Sequence, residues 1–163
     1  MAQDFPFRSP PRHGGREPGR RTDNQTAARD QDRSAPTIEL GDIRFGEGLD
    51  PRLFADIAEA KARAIADTKS HLNKRSQLRR FYDELAMWQE KVGGDDGKFR
   101  EYEPYIRMMK AKVAYAKGRE YVDVNFQALF GHVIDRVTNA TTLRHAKLFM
   151  EAFMAFYRVW RSN

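Results

Sequence analysis

I-R-M-M-K-A-K-V-A-Y-A-K-G-R, running from Ile106 to Arg119, decides how the rest of the chain is read. Its apolar side chains Ile106, Met109, Val113 and Ala116 recur at the i, i+3, i+4, i+7 spacing of one helix face. Between them stand Arg107, Lys110, Lys112, Lys117 and Arg119, with no acid from Arg107 to Arg119. Gly118 supplies a helix stop. At 100° per residue, Lys112 and Arg119 fall within about 20° of each other, and Lys110 and Lys117 do the same on another flank. The stretch therefore has a packing face and two short rows of cations. A helical bundle uses the first; a partner rich in negative charge uses the second.

Working outward, the same periodicity recurs. Lys74 to Val92 carries Leu78, Phe81, Leu85, Trp88 and Val92 on one face, and Gly93-Gly94-Asp95-Asp96-Gly97 breaks it as a flexible loop. The helix containing the opening stretch is predicted to start between Lys98 and Pro104; proline is tolerated only in a first turn, so Glu103-Pro104 marks either the true start or a kink. Asp50-Pro51, a cap followed by proline at the first helical position, opens an earlier helix that runs to Asp67. Val122 to Val137 and Leu143 to Arg161 complete five helices. Arg158 and Arg161 suit the negative end of the last one. Thr37 to Phe45 alternates apolar and polar residues, as a short extended segment docked on the bundle would. The predicted fold class is all-α: a compact bundle of about five helices, residues 37–163. Residues 1–36 form a separate Pro/Arg-rich tail, expected to be disordered because its scarce apolar residues cannot offset the entropy of ordering.

The 163 residues carry 40% hydrophobic side chains, enough for one buried core, and a net charge of +6 with a sequence pI near 9.7. That balance points to an acidic partner, nucleic acid before membrane surface. There is no cysteine, which removes disulfides and thiolate metal sites. No apolar run approaches the roughly 18 residues of a membrane span, and the N-terminus has no signal-like apolar core. A cytoplasmic protein is the simplest expectation.

No catalytic set emerges. His13, His71, His132 and His145 form no HExxH and no metal-ligand pair, and no P-loop, GxGxxG or nucleophile elbow is present. Asp83-Glu84 and Asp95-Asp96 are explained by a helix surface and a loop. Glu151 is expected either in an ion pair with Lys147 one turn earlier or in a buried contact to another helix. No cofactor and no metal is expected.

The basic constellation is more informative. Lys69 to Arg80, K-S-H-L-N-K-R-S-Q-L-R-R, holds Lys69, Lys74, Arg75, Arg79 and Arg80 with no acid. Arg75 and Arg79 fall beside the apolar face, whereas Arg80 and Ser76 point to the opposite side. Asn73, Ser76 and Gln77 add neutral hydrogen-bonding side chains, the mixture that phosphate contacts draw on. Two acid-free clusters on consecutive helices favour nucleic acid. Most phenylalanines fall on core faces. Tyr115, near Lys112 and Arg119, is expected to be buried against a neighbouring helix rather than to stack on a base. No motif for reading base sequence is present, which leaves backbone recognition.

S-Q-L-R-R-F-Y (Ser76 to Tyr82), M-K-A-K-V-A-Y-A-K-G-R (Met109 to Arg119) and L-F-M-E-A-F-M-A-F-Y (Leu148 to Tyr157) resemble, in that order, the small α-helical subunit of the type III-A CRISPR effector complex. The resemblance implies a non-catalytic subunit that acts in antiviral defence. It would stack in several copies along the guide RNA–target RNA duplex, against backbone subunits and further copies of itself. It also implies that Arg79, Arg80, Lys110, Lys112, Lys117 and Arg119 face RNA; Lys69, Lys74 and Arg75 are added from charge alone. Competing expectations are a purely structural helical module whose basic face meets acidic proteins, and a membrane-surface protein, which the acid-rich helix faces disfavour.

Overall fold

Among the described residues, three of the five α-helices begin where a short polar side chain accepts their first free N–H groups. The computed structural model describes residues 35–161, so the expected tail lies almost wholly outside the described residues. Asp50 accepts from the backbone of Arg52 and opens a 3₁₀ turn, Pro51–Phe54, followed by α1, Asp56–Ala66. The expected single helix from Asp50 to Asp67 is thus broken at Ala55. Alanine is a good helix former, so the break is imposed from outside: Leu53 is buried, and the turn packs on both α1 and the last helix.

The helix α2 spans Arg75–Val92 and α3 spans Asp96–Gly118. Asp95 caps α3 by accepting from Gly97 and Lys98 N–H at 2.7 and 3.2 Å. The expected start between Lys98 and Pro104 is therefore too late, and Pro104 lies inside the helix. The Gly-Gly-Asp-Asp-Gly loop is correspondingly shorter than expected, since Asp96 and Gly97 are already helical. Asp96 also ties the start of α3 to the start of α5, because its carboxylate accepts Ala140 N–H at 2.9 Å.

Asp123 caps α4, Val124–Asp135, and Asn139 caps α5, Ala140–Trp160, through a reciprocal pair with Thr142. α4 buries Phe126, Leu129, Phe130, Val133 and Ile134. Phe81 of α2 and Phe153 of α5 close on Phe126, and Phe153 stacks on Tyr157. α5 packs on α1 and α2, while α3 packs on α2 and α4.

The segment before Leu49 docks as the alternation predicts, though without strand pairing among the described residues. Ile43 is fully buried, and Ile38, Leu40 and Phe45 pack against the core. Its polar groups find partners: Asp42 pairs with the buried Lys61 of α1 at 2.8 Å, Gly46 N–H donates to His145 Nδ1 at 3.2 Å, and His132 Nε2 meets the Ile43 carbonyl at 3.0 Å. Two of the four histidines are thereby explained as fasteners for this segment.

Candidate nucleic-acid interface

The first basic cluster lies where the chain turns into α2. Lys74, the residue before the helix, makes no side-chain cap, and the first turn of α2 holds no acid. Cations at the positive end of a helix dipole are unfavourable by themselves, so this end of α2 is primed for an anion. Opposite it runs the C-terminal half of α5. Between the two lies an open groove of about 1200 Å³ whose basic lining is Lys74, Arg75, Arg79, Arg158 and Arg161. Ser70, Ser76 and Tyr82 contribute hydroxyls, and Glu151 is the acid of the lining. Glu151 is occupied by Lys147, whose ammonium approaches it at 2.5 Å and is pushed above its ordinary pKa by that hydrogen bond.

Among the described residues, Lys74, Arg75 and Arg158 have no ion pair, and Arg79 reaches Asp83 only at 3.5 Å with both side chains exposed. A screened pair of that kind contributes little and yields readily to a better anion. Ser76 shares the groove with Arg75 and Arg79, correcting its expected place beside Arg80; Lys69 and Arg80 are exposed but do not line it.

Arg158 and Arg161 were explained in the sequence by the dipole of their own helix. Arg158 does stand in the last turn of its own helix, and it also lines the groove. Arg161 does meet a helix C-terminus, but that of α1: its guanidinium donates to the carbonyl of Ala66 at 3.3 Å and to those of Lys69 and Ser70 at 2.9 Å. In the sequence, Glu151, Met154, Ala155 and Arg158 share one helix face by the i, i+3, i+4, i+7 rule, but the spacing does not say that this face meets the start of α2.

Asn73 also leaves the candidate set. It is completely buried, with φ 52°. Its side chain accepts from Asp123 N–H at 2.8 Å and donates to the Ile65 carbonyl at 3.4 Å. Its backbone N–H donates to the Tyr121 carbonyl at 3.0 Å, and its own carbonyl accepts the Tyr157 hydroxyl at 2.6 Å. Burial pushes that tyrosine's pKa to about 12, so the hydroxyl remains a donor throughout the neutral range. Asn73 thus joins α1, α5 and the α3–α4 turn, and is not offered to a phosphate.

The second cluster is arranged differently. α2 and α3 run antiparallel, since Trp88 stacks on Tyr105, Glu84 meets Lys112, and Asn73 meets Tyr121 in reverse order. Lys112 pairs with Glu84 of α2 at 2.6 Å and Lys110 with Asp135 of α4 at 2.6 Å. Arg107 binds Glu103 at 2.9 Å and donates to the carbonyls of Ile134 and Val137, both at 2.8 Å. Lys117 is half-buried and also has a partner. Arg119 is exposed and lies 6.0 Å from the Tyr121 ring centroid. Tyr115, expected under a neighbouring helix, is 66% exposed instead. The α2–α3 hairpin places Tyr115, Lys117 and Arg119, near the end of α3, at the same end of the molecule as Lys74.

A family model described as Csm2 Type III-A matches residues 49–163. The chain belongs to this family. Comparison with curated proteins and with solved structures gives no match. Membership in the Csm2 family makes the chain a small subunit of the type III-A CRISPR Csm complex, a structural component that assembles with other Csm subunits. The docked segment before Leu49 precedes the Csm2 match, whereas the groove and the α3 cations lie within it. Among the described residues no group of His, Asp and Glu could hold a metal ion, and no helix is long and apolar enough to cross a membrane.

Proposed function

We propose that this subunit grips the backbone of the guide RNA–target RNA duplex without sequence preference, stacking in several copies along it. The observation that supports this is the groove between the start of α2 and the end of α5. Lys74, Arg75 and Arg158 converge there without an ion pair among the described residues, beside serine hydroxyls and an uncapped helix start. That set fits phosphates and 2′-hydroxyls, which duplex RNA presents regularly while its major groove withholds the bases. Each copy needs only weak affinity, because neighbours on one duplex raise the effective concentration.

The test is retention of a short RNA duplex by the full chain across a salt series. Replacing Lys74, Arg75 and Arg158 together by alanine is expected to weaken binding equally for unrelated sequences. It should also reduce the slope of log K against log salt by roughly one per cation that met a phosphate. Unchanged binding, with the helical circular dichroism signal intact, would reject the groove as the RNA site. The alternative, a purely structural module contacting acidic proteins, draws on the ion pairs that occupy Lys110 and Lys112 and on the exposed Met87, Tyr105 and Met108.

A further inference from the structure

We infer that Tyr115, Arg119 and Tyr121, at the open end of the α2–α3 hairpin, form a stacking platform for one unpaired RNA base. This rests on the RNA reading above and adds a second kind of contact to it. Tyrosine rings ordinarily hide most of their apolar surface, yet Tyr115 is 66% exposed and Tyr121 41% exposed. Tyr115 and Arg119 are one turn apart, linked by the Arg119 N–H to Tyr115 carbonyl bond of 3.0 Å. The Arg119 guanidinium lies 6.0 Å from the Tyr121 ring centroid. Two aromatic faces and a planar cation are what a base can lie on, with donors left for its edge or for its phosphate.

The mount is rigid although the rings are exposed. Tyr121 N–H donates to the Ala116 carbonyl at 2.9 Å, and its own carbonyl accepts Asn73 N–H at 3.0 Å. Glu120 before it takes φ 57°, and Val122 after it is fully buried. A backbone fixed on both sides, holding a ring outward, loses little freedom when something stacks on that ring. The platform also adjoins the groove: Asn73, bonded to Tyr121, is followed directly by the groove residue Lys74. A strand whose phosphates enter the groove would bring a base to these rings. Bases within a duplex are already stacked and paired, so only an unpaired one can use the platform.

The experiment compares two probes on the full chain at low salt. One is a single-stranded RNA of mixed sequence with 2-aminopurine at an internal position; the other is a blunt RNA duplex. Stacking should quench the 2-aminopurine fluorescence on binding. The double variant Tyr115→Leu/Tyr121→Leu should abolish the quenching and weaken single-strand binding about tenfold, leaving duplex binding unchanged. Tyr115→Phe/Tyr121→Phe, which keeps both rings, should behave as the parent. If the parent holds the duplex without quenching the probe, or the leucine variant holds the single strand as tightly, the platform is wrong and the groove reading stands. Equal loss on both RNAs would assign the tyrosines to the fold and also reject the platform. Failure of the parent to hold either RNA would reject both readings together.

Discussion

The two basic clusters have similar composition along the chain and opposite fates in the fold. Around the start of α2, Lys74 and Arg75 face Arg158 across an open groove with no ion pair among the described residues. On α3, Lys112 and Lys110 are each drawn to a carboxylate of an adjoining helix at 2.6 Å, and Arg107 holds the carbonyls at the end of α4. The difference comes from neighbours. α3 packs beside α2 and α4, whose acids lie within reach of its flanks. The start of α2 faces α5, which offers there two arginines and a glutamate already occupied by Lys147. A run of cations without acids in the sequence is therefore no measure of unspent charge, since the neutralising acid comes from elsewhere in the chain.

The largest effect should come from the residue that fixes both regions in place. Asn73→Ala removes two side-chain hydrogen bonds from a buried site and puts alanine at φ 52°. We expect a stability loss of about 2–3 kcal/mol in urea unfolding. Asn73→Gly, which tolerates that φ, should lose less. Parent-like stability in both would mean the two regions are held independently of this asparagine.

A smaller effect tests whether the α3 cations are restrained by their partners. Glu84→Gln frees Lys112, and RNA affinity should rise by up to about fivefold, the scale of an exposed ion pair. Lys112→Ala should weaken binding less than Arg75→Ala does. An equal loss in those two variants, measured side by side in the salt series, would erase the distinction between the clusters.

The smallest effect separates fold from charge. His145 is held below the usual histidine pKa of 6.5, first by burial and then by Arg144, while its Nδ1 accepts Gly46 N–H. With the folded value lower than the unfolded one, the unfolded chain takes up the proton first. Stability should therefore decline as pH falls below about 6.5. His145→Asn should flatten that decline, as read by urea midpoints between pH 7.5 and 5.5, chosen as about one unit either side. A pH slope identical in parent and variant would remove His145 from the account.

Much of the fold was legible because helix periodicity and caps are local. Asp50 stands next to the helical turn it caps, and the apolar stripes of α2, α4 and α5 point to the core found, whereas the caps at Asp95 and Asp123 went unread. The resemblance of three short motifs to the type III-A small subunit agrees with the family that the chain joins. Boundaries were less legible. The break at Ala55 depends on contacts from other elements, and α3 starts at Asp96, well before Pro104, behind the Asp95 cap.

What the sequence determined by itself was an all-α bundle with a surplus of cations in two places, since both follow from residue type and spacing along one chain. Which cations stay without an ion pair among the described residues, that Arg158 joins them, that Asn73 is a buried joint and that Tyr115 faces solvent were decided only by the tertiary structure. Charge neutralisation and burial are set by whichever residues the fold brings alongside, and those lie tens of positions away in the chain: Glu84 is 28 residues from Lys112, and Asn73 is 84 from Tyr157.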